Sequence, residues 1–296
     1  MNPHQMIRFY FECLNDAGEQ VTFDLIKQKK ETNETITYNH LIYDGLSALC
    51  EQVATFKGEN IIPKLHYQAP PSFLKRMVLL TQWWTAVSYR SFFVPRGDSQ
   101  EESLYGSRVV TIKDEKNLNS RILMALHQAL ETNETSLWML PVSLHKKVEL
   151  GMKPLNNVSF IDVKLKSNDT ANDVKEKIAR ELKSGSYWGT IYSMFVPKIL
   201  GKKMFIKTFP YFSHFLKRTG TFSNLGKWTI PGIPEEESWG IKLTVVSLNP
   251  LAASALQVNG KLTIGLQTHS CLGLTKQKLD RILDLWQKAL QNQSPS

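Results

Sequence analysis

Only three cysteines, Cys13, Cys50 and Cys271, occur among 296 residues, widely spaced and odd in number. They form neither a disulfide framework nor a CxxC-type metal pattern, so they read as reduced, mostly buried thiols, and no metal site is expected. No stretch approaches the ~18 uninterrupted apolar residues of a membrane-crossing helix. The opening Met-Asn-Pro-His-Gln-Met-Ile-Arg lacks a basic region followed by an apolar core, so a cytoplasmic location is expected. Acidic residues are in deficit, 27 against 36 lysines and arginines, which leaves a net charge of +9. That surplus suits nucleic acid, an anionic membrane surface or a phosphate-rich small ligand. No aromatic RNA-binding signature, zinc-finger spacing or base-reading basic helix is present, so no nucleic-acid partner is expected. Four Asn-x-Ser/Thr triplets, starting at Asn33, Asn133, Asn157 and Asn168, read as chance polar loops.

What is present can build real cores: 42% of the residues are hydrophobic, enough for one large or two modest domains. Residues 6–14 alternate loosely, end in the turn-rich Asn15-Asp16-Ala17-Gly18, and precede 21–26, a pattern that predicts two strands joined by a short loop. Ile36, Tyr38, Leu41 and Ile42 read as a buried strand, with Asp44-Gly45 as its exit. Leu46, Leu49, Cys50 and Val53 then share one helix face. Lys57-Gly58 would stop that helix, and Pro63, Pro70 and Pro71 mark an irregular connection. Residues 73–94, with Trp83, Trp84, Tyr89, Phe92 and Phe93, read as largely helical packing between lobes.

The second half is more regular. A strand is expected over 107–112, then a helix capped by Asn119 with Ile122, Leu123, Leu126, Ala129 and Leu130 on one side. Strands follow at 138–144 and 158–165, and a helix at 172–183 carries Val174, Ile178 and Leu182 as its stripe and Gly185 as its cap. Residues 242–248 and 261–267 read as strands around the hairpin signal Asn259-Gly260. Thr275 opens a helix with Leu279, Ile282, Leu283, Trp286, Ala289 and Leu290 on one side. Residues 187–230 stand apart, with seven basic residues, no acidic one and many aromatics. Pro197 and Pro210 limit any single helix there, and core packing is the reading placed ahead of contact with a membrane surface.

The chemistry-bearing stretch is Asn39-His40-x-x-x-Asp44-Gly45, near a strand end where a turn presents the histidine. It resembles the HHxxxDG motif of the CoA-dependent acyltransferase superfamily, which includes chloramphenicol acetyltransferase, peptide-synthetase condensation domains and alcohol acetyltransferase-like proteins. Asn39 replaces the first histidine, and His40 falls on the catalytic one. Leu140-Pro141-Val142-Ser143-Leu144-His145 followed by Leu155-Asn156-Asn157-Val158-Ser159 resembles that family's second-lobe PVxLR strand and LGN element, with His145 for arginine and Asn156 for glycine. Ser223-Asn224-Leu225-Gly226 resembles its SNLG element.

The resemblance implies an α+β protein of two-layer sandwich lobes, the chloramphenicol acetyltransferase-like fold. Its first lobe is abbreviated, because only 39 residues precede His40, and its second is complete. The expected division is 1–95 for the partial lobe, 96–106 for the linker and 107–296 for the second lobe. The implied activity is acyl transfer from acyl-CoA, or from a carrier protein's phosphopantetheine thioester, to a hydroxyl or amine acceptor; the aromatic content favours a hydrophobic acyl chain or a lipophilic acceptor. No bound cofactor is expected, and peripheral membrane contact is an added option. His40 would be the general base and Asp44 a structural support, held in the family by an arginine. Gly45 would offer its amide to an oxyanion, while Asn39, Ser223, Asn224 and Gly226 would meet substrate. Against this stand a core histidine beside a helix-capping aspartate, and a non-catalytic condensation-domain-like binding module.

Overall fold

The computed structural model describes residues 3–29, 32–56, 69–72, 74–79, 81, 92–98, 102–112, 116–147, 149–150, 153–194, 196–215 and 218–292. The expectations for Lys57-Gly58, Pro63, Trp83, Trp84 and Tyr89 lie outside these residues.

The chain opens with a helix, not the strand expected over 6–14. In α1 (Pro3–Asp16), Ile7, Phe11 and Leu14 fall on one face at helical spacing and are all buried, whereas Arg8 and Glu12 pair on the outside at 3.0 Å. Proline at the first helical position loses no hydrogen bond there. The run Phe9-Tyr10-Phe11 imitates a strand locally, but the wider period decides the element. Strands β1 (Thr22–Gln28) and β2 (Asn33–Asn39) form an antiparallel hairpin, Thr22 opposite Asn39. β2 is a largely exposed edge strand that stops at Asn39, so Leu41 and Ile42 fall in the following turn instead of extending a buried strand. Helix α2 (Gly45–Val53) then buries Ala48, Leu49, Cys50 and Val53.

The remaining elements are β3 (Leu104–Val110), α3 (Leu118–Ala129), β4 (Ser136–Ser143), β5 (Val158–Leu165), α4 (Ala171–Ser184), α5 (Ser186–Ser193), α6 (Val196–Leu200), α7 (Lys202–Phe215), β6 (Gly220–Trp228), β7 (Ser238–Lys242), β8 (Leu251–Val258), β9 (Lys261–Thr268) and α8 (Lys276–Asn292). Six strands form one sheet in the order β3-β9-β8-β6-β4-β5, in which β6 runs parallel to both β4 and β8. The three-stranded sheet has the order β2-β1-β7. One face of the large sheet, through Ala253, Ala255, Ile264 and Leu266, packs with Ile122, Leu126, Val174, Leu283 and Trp286 of the helices. The Trp286 indole also donates to the Ile122 carbonyl at 2.9 Å. On the opposite face Leu225, Trp228, Leu256 and Val258 meet Phe23, Leu25, Tyr38 and Leu49 of the small sheet and α2. This mixed α+β arrangement is the fold class expected from the sequence.

Three local expectations fail for physical reasons. Helix α3 starts after Asn117, which sits at φ 54 without a side-chain cap bond, and Asn119 lies inside its first turn. The strand expected over 242–248 is β7, which ends at Lys242: Leu25 pairs with Ile241 there, and the chain beyond turns through a lone bridge between Val246 and Asn249. Pro197 lies in the first turn of the short helix α6, where proline loses no helical hydrogen bond, and α7 continues through Pro210. The Asn259-Gly260 turn forms, with φ of 47 and 84, the left-handed pair a tight type I′ turn requires, but it joins β9 to β8 and not to the strand expected over 242–248.

Candidate active site

His40 leaves β2 in a turn that its neighbours fold. The Asn39 carbonyl accepts from the amides of Ile42 and Tyr43 at 3.0 and 2.9 Å, and the Asn39 side chain accepts from Leu41 N–H at 2.8 Å. Asn39 therefore shapes the turn. The His40 amide donates to the Val21 carbonyl at 2.9 Å, which fixes the turn to the start of β1. Nδ1 of His40 lies 3.2 Å from the Tyr43 carbonyl, an acceptor only, so Nδ1 carries the proton in that bond and Nε2 keeps its lone pair.

Two aromatic rings enclose the imidazole. Phe11 of α1 stacks on it at 5.0 Å and 14°, and Phe23 of β1 lies 4.6 Å away at 35°. His40 remains half-buried, so part of it still meets solvent. Burial pulls its pKa from the ordinary histidine value down to about 4, against smaller upward effects of the Tyr43 carbonyl and the Asp44 charge. The ring is thus neutral at neutral pH.

Asp44 faces away from the histidine, and both its oxygens are committed. Oδ1 accepts from Ser47 N–H at 2.8 Å while the Ser47 hydroxyl accepts from Asp44 N–H at 3.0 Å, a reciprocal cap on α2. Oδ2 accepts from His145 Nε2 at 2.8 Å and from Asn157 N–H at 3.1 Å. Burial by itself would raise the carboxyl pKa. The bond to His145, its charge and the two backbone amides outweigh that, and the net shift is downward. His145 therefore reaches the aspartate from the position where the sequence pattern has arginine. Asn156, in the glycine position, is fully buried and donates from Nδ2 to the His40 carbonyl at 2.5 Å. The Asn156 carbonyl in turn meets His4 Nδ1 of α1 at 2.9 Å.

Gly45 begins α2, so its N–H is among the first-turn donors that a helix leaves without an intrahelical acceptor. A Cβ at Gly45 would stand 3.0 Å from Leu225 Cδ2, which brings the His40 turn against the Ser223–Gly226 strand. Within that strand, Asn224 Oδ1 accepts from Gly226 N–H at 2.9 Å across an irregularity of register, and Gly226 takes φ 81. Asn224 and Gly226 thus shape the bulge, and Ser223 is a buried position opposite Ser254. None of these three hydrogen-bonds to His40 among the described residues. The sequence pattern located His40, Asp44 and Gly45. It missed Phe11, hidden by the misread α1, and Phe23, which meets His40 only through the hairpin. No described group of His, Cys, Asp and Glu could hold a metal ion.

No family model matches the chain, and no curated protein matches it in sequence. Solved structures do. A substituted starter condensation domain of rhizomide synthetase, in complex with C8-CoA and Leu-SNAC, aligns over 87% of this chain and 66% of its own at 12% identity and a TM-score of 0.52. The first condensation domain of the CDA synthetase aligns over 88% and 65% at 11% identity and a TM-score of 0.51. The chain thus spans about two thirds of the length of the domains it resembles. It has the fold of these condensation domains. Among the described residues no helix is long and apolar enough to cross a membrane.

Proposed function

We propose that the protein is an acyltransferase that moves an acyl group from a thioester, acyl-CoA or a carrier protein's phosphopantetheine arm, to a hydroxyl or amine acceptor. The observation that carries this reading is His40: Nδ1 is tied to the Tyr43 carbonyl, Nε2 is left as acceptor, and the ring is neutral and only half-buried. In the proposed step, Nε2 takes the acceptor's proton as the oxygen or nitrogen attacks the thioester carbonyl. The resulting oxyanion lies toward the Gly45 N–H at the positive end of α2. Collapse breaks the C–S bond, and the leaving thiolate recovers the proton from His40. Asp44 takes no part in proton transfer and positions the turn through His145 and Asn157. Asn39, Asn224 and Gly226 act by shaping backbone, and Ser223 is the side chain left to meet substrate. C8-CoA in the matched starter domain fits the same class of donor. The division into 1–95, 96–106 and 107–296 is part of this proposal.

A second reading, a non-catalytic binding module, is favoured by Phe11 lying flat on the imidazole and by Asn156 holding the His40 carbonyl. Thiol release from a panel of acyl-CoAs, with alcohols and amines as acceptors, separates the two. Turnover that His40→Ala leaves unchanged removes the histidine from the mechanism, and silence across the panel favours the module.

A further inference from the structure

Eight large apolar side chains stand exposed among the described residues, and six of them fall on two pieces of chain outside the His40 site. Ile199, Leu200 and Met204 crowd the elbow between α6 and α7, Ile199 being 71% exposed. Leu74, Met77 and Val78 lie on the short helical stretch 74–79, which Arg76 holds beside α5 by stacking 5.5 Å over the Tyr192 ring. The elbow turns at Gly201, φ 78, with no atom within 4 Å of where a Cβ would stand, so it protrudes. It is nonetheless anchored: Phe205 is buried against Tyr10 of α1 at 6.3 Å, and Lys202 pairs with Asp16.

Around this apolar tip, Lys198, Lys203 and Lys207 are exposed and have no ion-pair partner among the described residues. No acidic residue occurs anywhere in 187–230. Single exposed apolar groups are ordinary on a protein surface, but three within six residues, beside lysines with no ion-pair partner among the described residues, mark a contact site. A protruding tip asks for a partner that can close around it, and the lysines ask for a negatively charged one. A fluid bilayer containing anionic lipid supplies both.

We propose that the α6–α7 elbow seats the protein on an anionic membrane surface. Ile199, Leu200 and Met204 enter the interface, and Lys198, Lys203 and Lys207 meet the headgroup phosphates. From beneath the elbow, aromatic contacts run from Phe205 to Tyr10, to Phe11 at 5.9 Å and to His40 at 5.0 Å, which links the base of the elbow to the histidine turn through α1. The proposal goes beyond the transferase reading and does not need it, since it concerns binding alone.

The test is co-sedimentation of the full chain with phosphatidylcholine vesicles, alone or with phosphatidylserine added. Binding is expected only with phosphatidylserine and should weaken as salt is raised. The combined Lys198→Gln, Lys203→Gln and Lys207→Gln variant should partition on the order of 100-fold less, at about fivefold per lysine. Ile199→Asp with Met204→Asp should abolish binding with an unchanged circular dichroism spectrum, and His40→Ala should bind like the parent. Equal binding to both vesicle types, or indifference to both surface variants, overturns the proposal. So does absence of sedimentation: retention on an immobilised acidic carrier protein would then assign the elbow to a protein partner, and self-association lost in the Ile199→Asp, Met204→Asp variant would assign it to a second copy.

Discussion

Acidification tests the environment of His40 directly, without any assumption about substrate. In the unfolded chain the imidazole takes up a proton near its ordinary pKa of ~6.5. In the folded protein, burial between Phe11 and Phe23 delays that step to about 4. Above the ordinary value both states are neutral and His40 adds no pH dependence. As the pH falls between these two values the unfolded state alone binds the proton, so stability drops, and below the lower one the loss levels off. A gap of roughly 2.5 units at ~1.4 kcal/mol each sets a ceiling of about 3.5 kcal/mol, and partial solvent access to the ring lowers the realised loss. The assay is urea unfolding followed by tryptophan fluorescence across this pH range, for the parent and for His40→Gln, whose difference isolates this histidine from the protein's other titrating groups. The parent should lose stability relative to the variant as the pH falls, and the His40 ring proton resonance should titrate well below the ordinary histidine value. Titration near ~6.5, or parallel stability curves, would refute the burial argument.

Asp44→Ala removes a helix cap and leaves His145 and the Asn157 amide without their buried acceptor, so it should cost about 3–5 kcal/mol in urea unfolding, whereas Asp44→Asn keeps the cap and should cost about 1–2. A loss below ~1 kcal/mol for the alanine variant would show that the clamp contributes little. Gly220→Ala would place Cβ 2.3 Å from the Leu251 backbone oxygen, where neither strand can yield, and should lower stability by more than about 2 kcal/mol. Gly45→Ala meets only the movable tip of Leu225 and should cost less than ~1 kcal/mol, so equal thermal shifts for the two variants would contradict this packing argument.

Elements with strong local signals were legible from the chain alone: the Asn259-Gly260 hairpin, the α8 stripe of Leu279, Leu283 and Trp286, and helix α4 closing at Gly185 in the left-handed region. α1 was not, because three consecutive aromatics outweighed the wider spacing of Ile7, Phe11 and Leu14. β7 was misplaced because its span is set by pairing with β1, a partner over 200 residues earlier, and nothing within 238–248 announces that. The site divides in the same way. The spacing of His40, Asp44 and Gly45 is local and readable. The contacts that give them their properties are not: His145 and Asn157 on Asp44, Asn156 on the His40 carbonyl and Phe11 on the ring all arrive from distant segments.

Those distant contacts place the histidine on a seam. Its turn continues the small sheet, but the carbonyl of His40 and the carboxylate of Asp44 are held by residues 145–157, the connection between β4 and β5 of the large sheet. The two sheets are themselves coupled by β7, which pairs with β1 and packs on the large sheet. Ser254 donates its hydroxyl to the Ile241 carbonyl at 2.5 Å, and Gly240 lies so close to Thr263 that a Cβ would reach its methyl at 3.0 Å. The orientation of Nε2 is therefore set jointly by three contacts: the β1–β2 hairpin, the β4–β5 connection and the β7 crossing. Two of these three come from segments more than 100 residues along the chain from His40, so the geometry of the histidine depends on tertiary contacts more than on its own hairpin.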